Sequence, residues 1–463
     1  MVPLVETSHR TSESERMTGK VARCSGKITV LMASIVELFG LSSARTKSFC
    51  FYLETTKRRP NDWNFGMNET ENSAKSSLRR CMPVSESYAY FDHAAVGPIP
   101  KSSAEAIQKW TQQSLLHGDV HWPEWAKSAS QLRKDAGELL NCTPQEVALI
   151  PNTTFGINVV SSGYRWNLQP GGKDSVVVLE NEFSSNLLPW LALERRGVEV
   201  RRVPVSESGV VDIDAIRRKV DSSTRIVSVS WVGYFSGYRI DLAKLCDMVH
   251  SAGAKLFVDA IQGLGVFSLD VQEIPVDFLA ADGHKWMLGP EGAGLLYIRE
   301  GNLELLEPAM QGWGSIRMAH HFSTSEMVLK SDASRYEGGS ANHVGQIGLG
   351  KSLRMLLDYG CHQRNNPVAV AVLENAAIIE QGLRSLGASV YRARQFPNQD
   401  NDLSGIITFS LEGQDPSQVR ARLLQDGVVL SVRHGRLRVA THAYNNIHDI
   451  ERLFHGVRSC RPS

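Results

Sequence analysis

Two residues of opposite charge close two successive segments that resemble buried strands. Asp259 ends the apolar run 255–259, and Lys285 follows the run 277–282. A lysine amine can form a Schiff base with an aldehyde, and a carboxylate beside a pyridine nitrogen keeps that ring protonated and able to accept electrons. The pair therefore predicts a site for pyridoxal phosphate in an enzyme that acts on an amino compound.

A third motif fits the phosphate of such a cofactor. Thr153 and Thr154 precede an apolar helical run, and hydroxyls together with free backbone N–H groups at a helix N-terminus can cradle a phosphate. Taken singly, a Thr-Thr pair is more often a plain cap, a strand-end lysine is usually a surface residue, and a strand-final Asp often caps a turn. The occurrence of all three features in this order, each at a strand-to-helix edge, is much less probable by chance than any one of them alone.

Short β-branched runs alternate with helical stretches from residue 88 onward, which predicts an α/β fold with a largely parallel sheet covered on both faces. The strand candidates are residues 175–179, 198–204, 225–232, 255–259, 277–282 and 294–299. Ligands of such sheets bind beyond the carboxyl ends of the strands, where Asp259 and Lys285 fall. Residues 231–237 are expected to form a wall of the same site.

The chain divides into four predicted parts. Residues 1–81 are rich in Ser, Thr, Arg and Lys and form a poorly ordered N-terminal extension, so we hypothesise that the native product begins near Met82. Residues 82–110 form an N-terminal arm and residues 111–344 the large cofactor-binding domain. Residues 345–463, with long helices followed by strands, form a small C-terminal α+β domain.

Composition argues against several partners. Lys and Arg number 50 against 49 Asp and Glu, so no basic surface predicts nucleic-acid binding. The longest apolar stretch, residues 28–41, is short for a membrane span and contains Glu37. The 7 cysteines show no metal spacing, which predicts reduced thiols, no metal site and a cytoplasmic location.

Over residues 88–455 the chain resembles the class V aminotransferase family of fold-type I pyridoxal phosphate enzymes. That family includes cysteine desulfurases, isopenicillin N epimerase-like proteins and kynureninases. The motifs that carry the resemblance are residues 91–98, 153–156, 182–190, 259–262, 284–285, 337–342 and 437–440.

The resemblance implies a large domain with a mostly parallel seven-stranded sheet between helices, and it assigns roles by position. Lys285 is the catalytic residue. The implied cofactor-binding residues are Thr153, Thr154, Phe183, Asp259, Gln262, His284, Lys285 and Ser340, and the implied substrate-binding residues are Arg438, His93 and Asn186. Ser340 would reach the phosphate of a neighbouring subunit, which implies a homodimer with shared active sites.

Arg438 has two interpretations. The planar fork of an arginine donates two parallel hydrogen bonds and suits a substrate carboxylate. The alternative is a strand arginine that is held in an internal salt bridge.

Three departures from the family pattern bear on the reaction. Phe183 replaces a histidine that stacks on the pyridine ring, and phenylalanine can stack but cannot exchange a proton. Residues 429–436 contain no cysteine where desulfurases carry a nucleophilic thiol. Asp282 replaces a phosphate-binding serine and is not assigned as a ligand. These differences disfavour desulfuration.

Transamination of an amino acid is therefore the leading expectation from the sequence. Epimerisation or lyase chemistry, the latter desulfurase-like without the loop cysteine, is the alternative. A non-catalytic regulatory protein that binds pyridoxal phosphate is an alternative of another class. The sequence does not identify the substrate.

Overall fold

The computed structural model describes residues 76–169, 172–317, 328–392 and 402–460. The predicted extension therefore lies outside the described residues up to position 75. Among the described residues, no helix is both long and apolar enough to span a membrane.

Thirteen strands form three sheets in the part of the chain that the structure describes. In chain order they are β1 (Ala89–Tyr90), β2 (Val147–Ile150), β3 (Ser175–Leu179), β4 (Glu199–Val203), β5 (Thr224–Ser230), β6 (Lys255–Asp259), β7 (Phe278–Asp282), β8 (Gly294–Ile298), β9 (Ser389–Tyr391), β10 (Ile406–Ser410), β11 (Val428–Val429), β12 (Ser431–Arg433) and β13 (Arg436–Ala440). The large sheet has seven strands in the order β2-β8-β7-β6-β5-β3-β4, and β8 alone runs against the others. The predicted mostly parallel seven-stranded sheet is confirmed.

Successive side chains of the central strands enter two different cores. Leu256 and Val258 of β6 belong to one hydrophobic cluster, and Phe257 between them belongs to the other. Because side chains alternate across a strand, a continuous apolar run buries both faces only when helices cover both sides of the sheet. The apolar β runs of the sequence thus select the layered architecture.

Eleven α-helices surround these sheets in the described part of the chain. They are Val84–Ser87, Lys101–His117, Trp122–Leu140, Thr153–Gly163, Ser184–Leu191, Ile213–Arg217, Leu242–Ser251, His343–Asp358, Pro367–Ser385, Pro416–Gln425 and Ile447–Ser459. The predicted domain boundaries at 110/111 and 344/345 fall inside Lys101–His117 and His343–Asp358. Since a helix is one rigid element, these boundaries belong at the helix ends.

The small domain is built on a four-stranded antiparallel sheet in the order β12-β13-β10-β9. The N-terminal segment joins it, because β1 pairs in parallel with β11 and Phe91 is buried in the small-domain core. The backbone N–H of Ala440 donates to the carbonyl of Phe91 at 2.7 Å. The segment that carries Asp92 is therefore held directly beside β13.

Residues 76–81, which the sequence assigned to the extension, are part of this packing. Leu78 is buried, and the Arg79 guanidinium donates to both carboxylate oxygens of Asp449 at 2.6 and 3.1 Å. The Asp449 side chain is 2% exposed. This ion pair joins the chain ahead of Met82 to the last helix.

Removal of this ion pair should destabilise the protein. Arg79→Ala leaves the buried Asp449 carboxylate with hydrogen bonds from Asn445 and Asn446 alone, which should cost about 2 kcal/mol of unfolding free energy. Thermal unfolding should show a lower midpoint than the parent. Arg217→Ala, which breaks the exposed pair with Asp214, serves as the control and should leave the midpoint nearly unchanged. Equal midpoints for the two variants would contradict the anchoring role.

Candidate active site

The carboxyl edge of the large sheet brings the predicted cofactor residues together. Asp259 ends β6, Asp282 ends the neighbouring parallel strand β7, and Lys285 follows three residues later. The helix that begins at Thr153 starts at the same edge, since β2 runs in the same direction. The backbone N–H of Asp282 donates to the Thr153 hydroxyl at 2.9 Å and fixes the helix start to the strand end.

Lys285 lies in an environment that favours its neutral form. Burial lowers the pKa of its amine to about 8, and the negative charge of Asp259 opposes part of this decrease. The Phe183 ring centroid is 5.7 Å from Nζ. A lysine with this pKa is partly neutral near physiological pH and can react as a nucleophile or accept a proton.

Asp259 is a buried carboxylate with unused hydrogen-bonding capacity. It is 3% exposed, and among the described residues it accepts a hydrogen bond from the Ile261 N–H alone, at 3.1 Å. Burial raises its pKa to about 6, against the lowering effects of that N–H and of Lys285. A protonated pyridine nitrogen would supply the positive partner that this carboxylate lacks, so the residue fits the predicted cofactor.

The turn that presents Lys285 is constrained on both sides. The Gly97 N–H donates to the His284 carbonyl at 2.6 Å, and a Cβ on Gly97 would lie 2.1 Å from the Lys285 carbonyl oxygen. Leu288, which follows in the same turn, has φ 57°, a left-handed conformation that is unfavourable for a branched residue. A close glycine contact and a strained backbone together hold the lysine in place.

The start of the helix Thr153–Gly163 can receive a phosphate. Asn152 caps the helix by accepting the Phe155 N–H at 2.9 Å. The N–H groups of Thr153 and Thr154 donate to no described residue, and the Thr154 hydroxyl contacts Ser185 at 2.8 Å. Free donors at a helix N-terminus fit an anionic group.

Two further predicted cofactor residues already have partners within the protein. The Gln262 side chain donates to the Ala94 carbonyl at 3.0 Å and accepts from the Trp286 indole at 2.7 Å. His284 Nδ1 lies 2.9 Å from an Asp282 carboxylate oxygen. Asp282 therefore faces a histidine, in agreement with its exclusion from the phosphate ligands.

Arg438 is 1% exposed, and each of its nitrogen atoms has a partner. It donates to the Tyr234 carbonyl at 2.8 Å, to the Ser431 hydroxyl at 3.2 Å and to Asp92 at 3.4 Å. Burial lowers the pKa of the guanidinium to about 10, and burial raises the pKa of Asp92. In this structure the arginine forms the internal salt bridge of the alternative interpretation, at a place close enough to Lys285 to lower the pKa of the lysine.

Three further predicted residues either do not present their side chains as free ligands or lie on the surface. His93 has no exposed surface, and its ring nitrogens contact the Ala440 carbonyl at 2.9 Å and the Tyr444 hydroxyl at 2.8 Å. Asn186 is equally buried and accepts hydrogen bonds from Ser228 and Trp190. These environments do not support the predicted substrate contacts. Ser340 is exposed on the surface.

A cavity of about 600 Å³ lies beside the site. Glu182, Tyr234 and His434 are among its lining residues, and Lys285 is not. The Tyr234 ring packs edge-on against Phe183 with centroids 5.3 Å apart, which links the cavity to the lysine. Of the residues 231–237 that were predicted as a wall of the lysine site, 233–236 line this cavity.

Glu182 carries an additional signal. Its carboxylate accepts hydrogen bonds from the N–H and the hydroxyl of Ser230, and burial raises its pKa to about 7. It stands next to Phe183 in the sequence, which could have drawn attention to it. No group of three or more potential metal ligands occurs among the described residues.

The pKa of Lys285 provides a direct test of the contact with Asp259. Because the carboxylate raises that pKa, Asp259→Asn should move it below about 8, and the neutral amine should then form at lower pH. Acetic anhydride labelling of the Lys285 peptide in apoprotein, followed by mass spectrometry across pH, measures the midpoint. Labelling of the exposed Lys101 normalises reagent reactivity, and Glu105→Gln is the control variant. An unshifted midpoint in Asp259→Asn would show that the two charges do not interact.

Comparison with known proteins identifies the family. The sequence profile of aminotransferase class-V matches residues 89–461. The cysteine desulfurase CsdA of Escherichia coli (strain K12) is 31% identical over 394 residues, which cover 80% of this chain and 92% of that protein. A probable cysteine desulfurase of Methanothermobacter thermautotrophicus is 29% identical over 398 residues, which cover 81% of this chain and 95% of the other.

Solved structures agree with the fold. Escherichia coli CsdA matches with a TM-score of 0.73 at 25% identity and covers 83% of this chain and 98% of that one. A cysteine desulfurase from Thermococcus onnurineus NA1 matches with a TM-score of 0.73 at 24% identity, over 83% and 97% of the two chains. The expected fold-type I architecture is thus confirmed. The chain belongs to the class V aminotransferase family, whose cofactor is pyridoxal phosphate.

Proposed function

We propose that this protein is a pyridoxal phosphate-dependent lyase that removes sulfur from the β-carbon of cysteine or of an S-substituted cysteine. The similarity to cysteine desulfurases over four fifths of the chain supports this proposal. Transamination, the leading expectation from the sequence, receives no comparable support. The lyase alternative is therefore the better interpretation.

The turn between β12 and β13 supports a reaction without a protein thiol. Arg433 pairs with Arg436, so His434 and Gly435 alone connect the two strands. Their φ values of 48° and 69° are those of a tight hairpin turn. Cysteine is absent from this turn, and none of the described cysteines lines the neighbouring cavity. Sulfur would therefore leave as sulfide or as a free thiol.

Lys285 and the residues around it can each have a separate role in an elimination reaction. When bound, pyridoxal phosphate withdraws electrons from the α-carbon of the substrate. The Lys285 amine, with its pKa near 8, accepts the α-proton. Asp259 keeps the pyridine nitrogen protonated, and Phe183 packs beside the lysine without exchanging a proton.

Arg438 would bind the substrate carboxylate within electrostatic range of Lys285. In the structure its Asp92 contact, at 3.4 Å, is the longest of its hydrogen bonds. Burial raises the pKa of Asp92, and the Ser431 hydroxyl donates to the same carboxylate at 2.7 Å. A substrate carboxylate could replace it while the Tyr234 carbonyl and the Ser431 hydroxyl continue to orient the guanidinium.

We also propose a homodimer, as the family resemblance implies. Ser340 is exposed and free to reach a neighbouring subunit. A group of exposed apolar side chains lies on and after the helix Lys101–His117: Leu115, Leu116, Val120 and Trp122. Such a group is typical of a protein interface. The cytoplasmic location stays a prediction.

Product analysis tests the lyase proposal. Protein loaded with pyridoxal phosphate should convert cysteine to sulfide, pyruvate and ammonium in equal amounts, without accumulation of pyridoxamine phosphate. The Lys285→Ala variant should lack both turnover and the absorbance band at about 420 nm that the lysine-bound cofactor gives. Lys101→Ala is the surface control.

Other products would overturn this assignment. Pyridoxamine phosphate together with a sulfur-containing keto acid would indicate transamination, and an inverted α-carbon would indicate epimerisation. A stable absorbance band at about 420 nm without turnover of any amino acid would favour a regulatory protein.

A second prediction concerns Arg438. Arg438→Ala should weaken cysteine binding by about 2–5 kcal/mol, because a substrate carboxylate would lose a two-pronged partner in a buried place. The affinity for pyridoxal phosphate should change far less. Substrate KM and cofactor titration measure the two effects, with the exposed Arg458→Ala as the control. Equal losses of both affinities would assign Arg438 a structural role.

A further inference from the structure

A tyrosine and a histidine that lie 200 residues apart meet at the rim of the cavity. The Tyr234 hydroxyl and His434 Nε2 are 2.7 Å apart, and both side chains line the cavity of about 600 Å³. His434 Nδ1 has no hydrogen-bond partner among the described residues. One ring nitrogen is thus fixed by the tyrosine, and the other can exchange a proton.

This pair stands beside the lysine site. The Tyr234 backbone carbonyl accepts the Arg438 guanidinium, and the Tyr234 ring packs against Phe183, which adjoins Lys285. The charges of Arg433 and Arg438, which flank the turn on β12 and β13, both lower the pKa of Lys285. The two strands that flank the hairpin therefore carry charges within electrostatic range of the lysine.

An elimination needs a second proton transfer that no residue described above supplies. Lys285 takes the α-proton, and Phe183 cannot titrate. Glu182 lines the same cavity, but both of its carboxyl oxygens accept hydrogen bonds from Ser230. A departing thiolate is a base strong enough to require a proton when its parent thiol is weakly acidic.

We propose that His434, oriented by Tyr234, protonates the sulfur that leaves, and that the cavity accepts the substituent of an S-substituted cysteine. This inference rests on the lyase function proposed above. The cavity volume of about 600 Å³ far exceeds the space that a single sulfur atom needs, and it therefore indicates a cysteine that carries a substituent on sulfur.

The elimination is balanced in protons and electrons with water as the only added reactant. Lys285 removes the α-proton, the electron pair of the Cα–H bond forms the Cα=Cβ bond, and the Cβ–S bond breaks with its electron pair going to sulfur. His434, with a proton on each ring nitrogen, gives the Nδ1 proton to the sulfur to form the S–H bond, and the other proton stays on Nε2, hydrogen-bonded to the Tyr234 hydroxyl. Lys285 then gives its proton to solvent, and His434 takes one from solvent. The remaining unsaturated amine takes up water to give pyruvate and ammonium. No external oxidant or reductant is needed.

Substrates with different leaving groups test the assignment in the enzyme loaded with cofactor. S-methylcysteine releases a strongly basic thiolate, and S-(4-nitrophenyl)cysteine releases a stable one that needs no proton donor. His434→Gln keeps a side chain that can reach the Tyr234 hydroxyl but cannot titrate. It should lower kcat/KM for S-methylcysteine about 100-fold and for the nitrophenyl compound at most about threefold.

Tyr234→Phe should give a smaller loss with the same dependence on the leaving group, because it removes the orienting contact and leaves the imidazole. His448→Gln, a substitution of an exposed histidine on the last helix, is the matched control. Cofactor absorbance of each variant verifies that the fold is retained.

The outcomes separate this inference from the proposed function. Equal losses for both substrates in His434→Gln would overturn the proton-donor role and leave the lyase function intact. Failure of the parent enzyme to release sulfide or a thiol from any substrate would overturn both. Turnover of cysteine with rejection of every S-substituted compound would overturn the assignment of the cavity.

Discussion

The proximity of a buried carboxylate to a buried amine is the constraint on which the site depends. Asp259 and Lys285 each lose hydration at the sheet edge, which raises the pKa of the acid to about 6 and lowers that of the lysine to about 8. Their mutual attraction opposes both pKa shifts. Each buried charge is therefore stabilised by the other, or by a cofactor that takes the place of the other charge. Parallel strands are well suited to this arrangement, because β6 and β7 end at the same edge and deliver their terminal residues side by side.

The surrounding fold makes that edge rigid. Side chains of one strand alternate between two cores, so β6 cannot shift its register without exposing Phe257 or its neighbours. The N-terminal segment then joins the two domains over the site. Gly97 binds the backbone of the lysine turn, while Phe91 and Asp92 bind β13 and Arg438. The position of the arginine relative to the lysine is thus set by a short stretch of chain that contacts both.

The sequence predicted strands better than side-chain directions. Residues 255–259 form a strand with the predicted limits, because a short run with buried side chains on both faces suits a central strand of a covered sheet. The helix Lys101–His117 was not predicted, since it buries Ser103 alone and shows no apolar stripe. Motif resemblance located His93 and Asn186 near the site, but a motif carries position along the chain and not orientation, and both side chains point into packed surroundings. The Tyr234–His434 contact depends on the docking of two domains, which no local pattern reveals.

The short hairpin between β12 and β13 connects the fold to the choice of reaction. A long loop can carry a thiol to the substrate sulfur, whereas a turn of two residues in left-handed conformations can present one side chain at a fixed place. Here that side chain is an imidazole held by a phenol, which can supply a proton but cannot accept a sulfur atom. Family membership supplies the cofactor. Under the proposed lyase function, Lys285 makes the first proton transfer, and the shortness of this turn favours release of the sulfur over its capture by the protein.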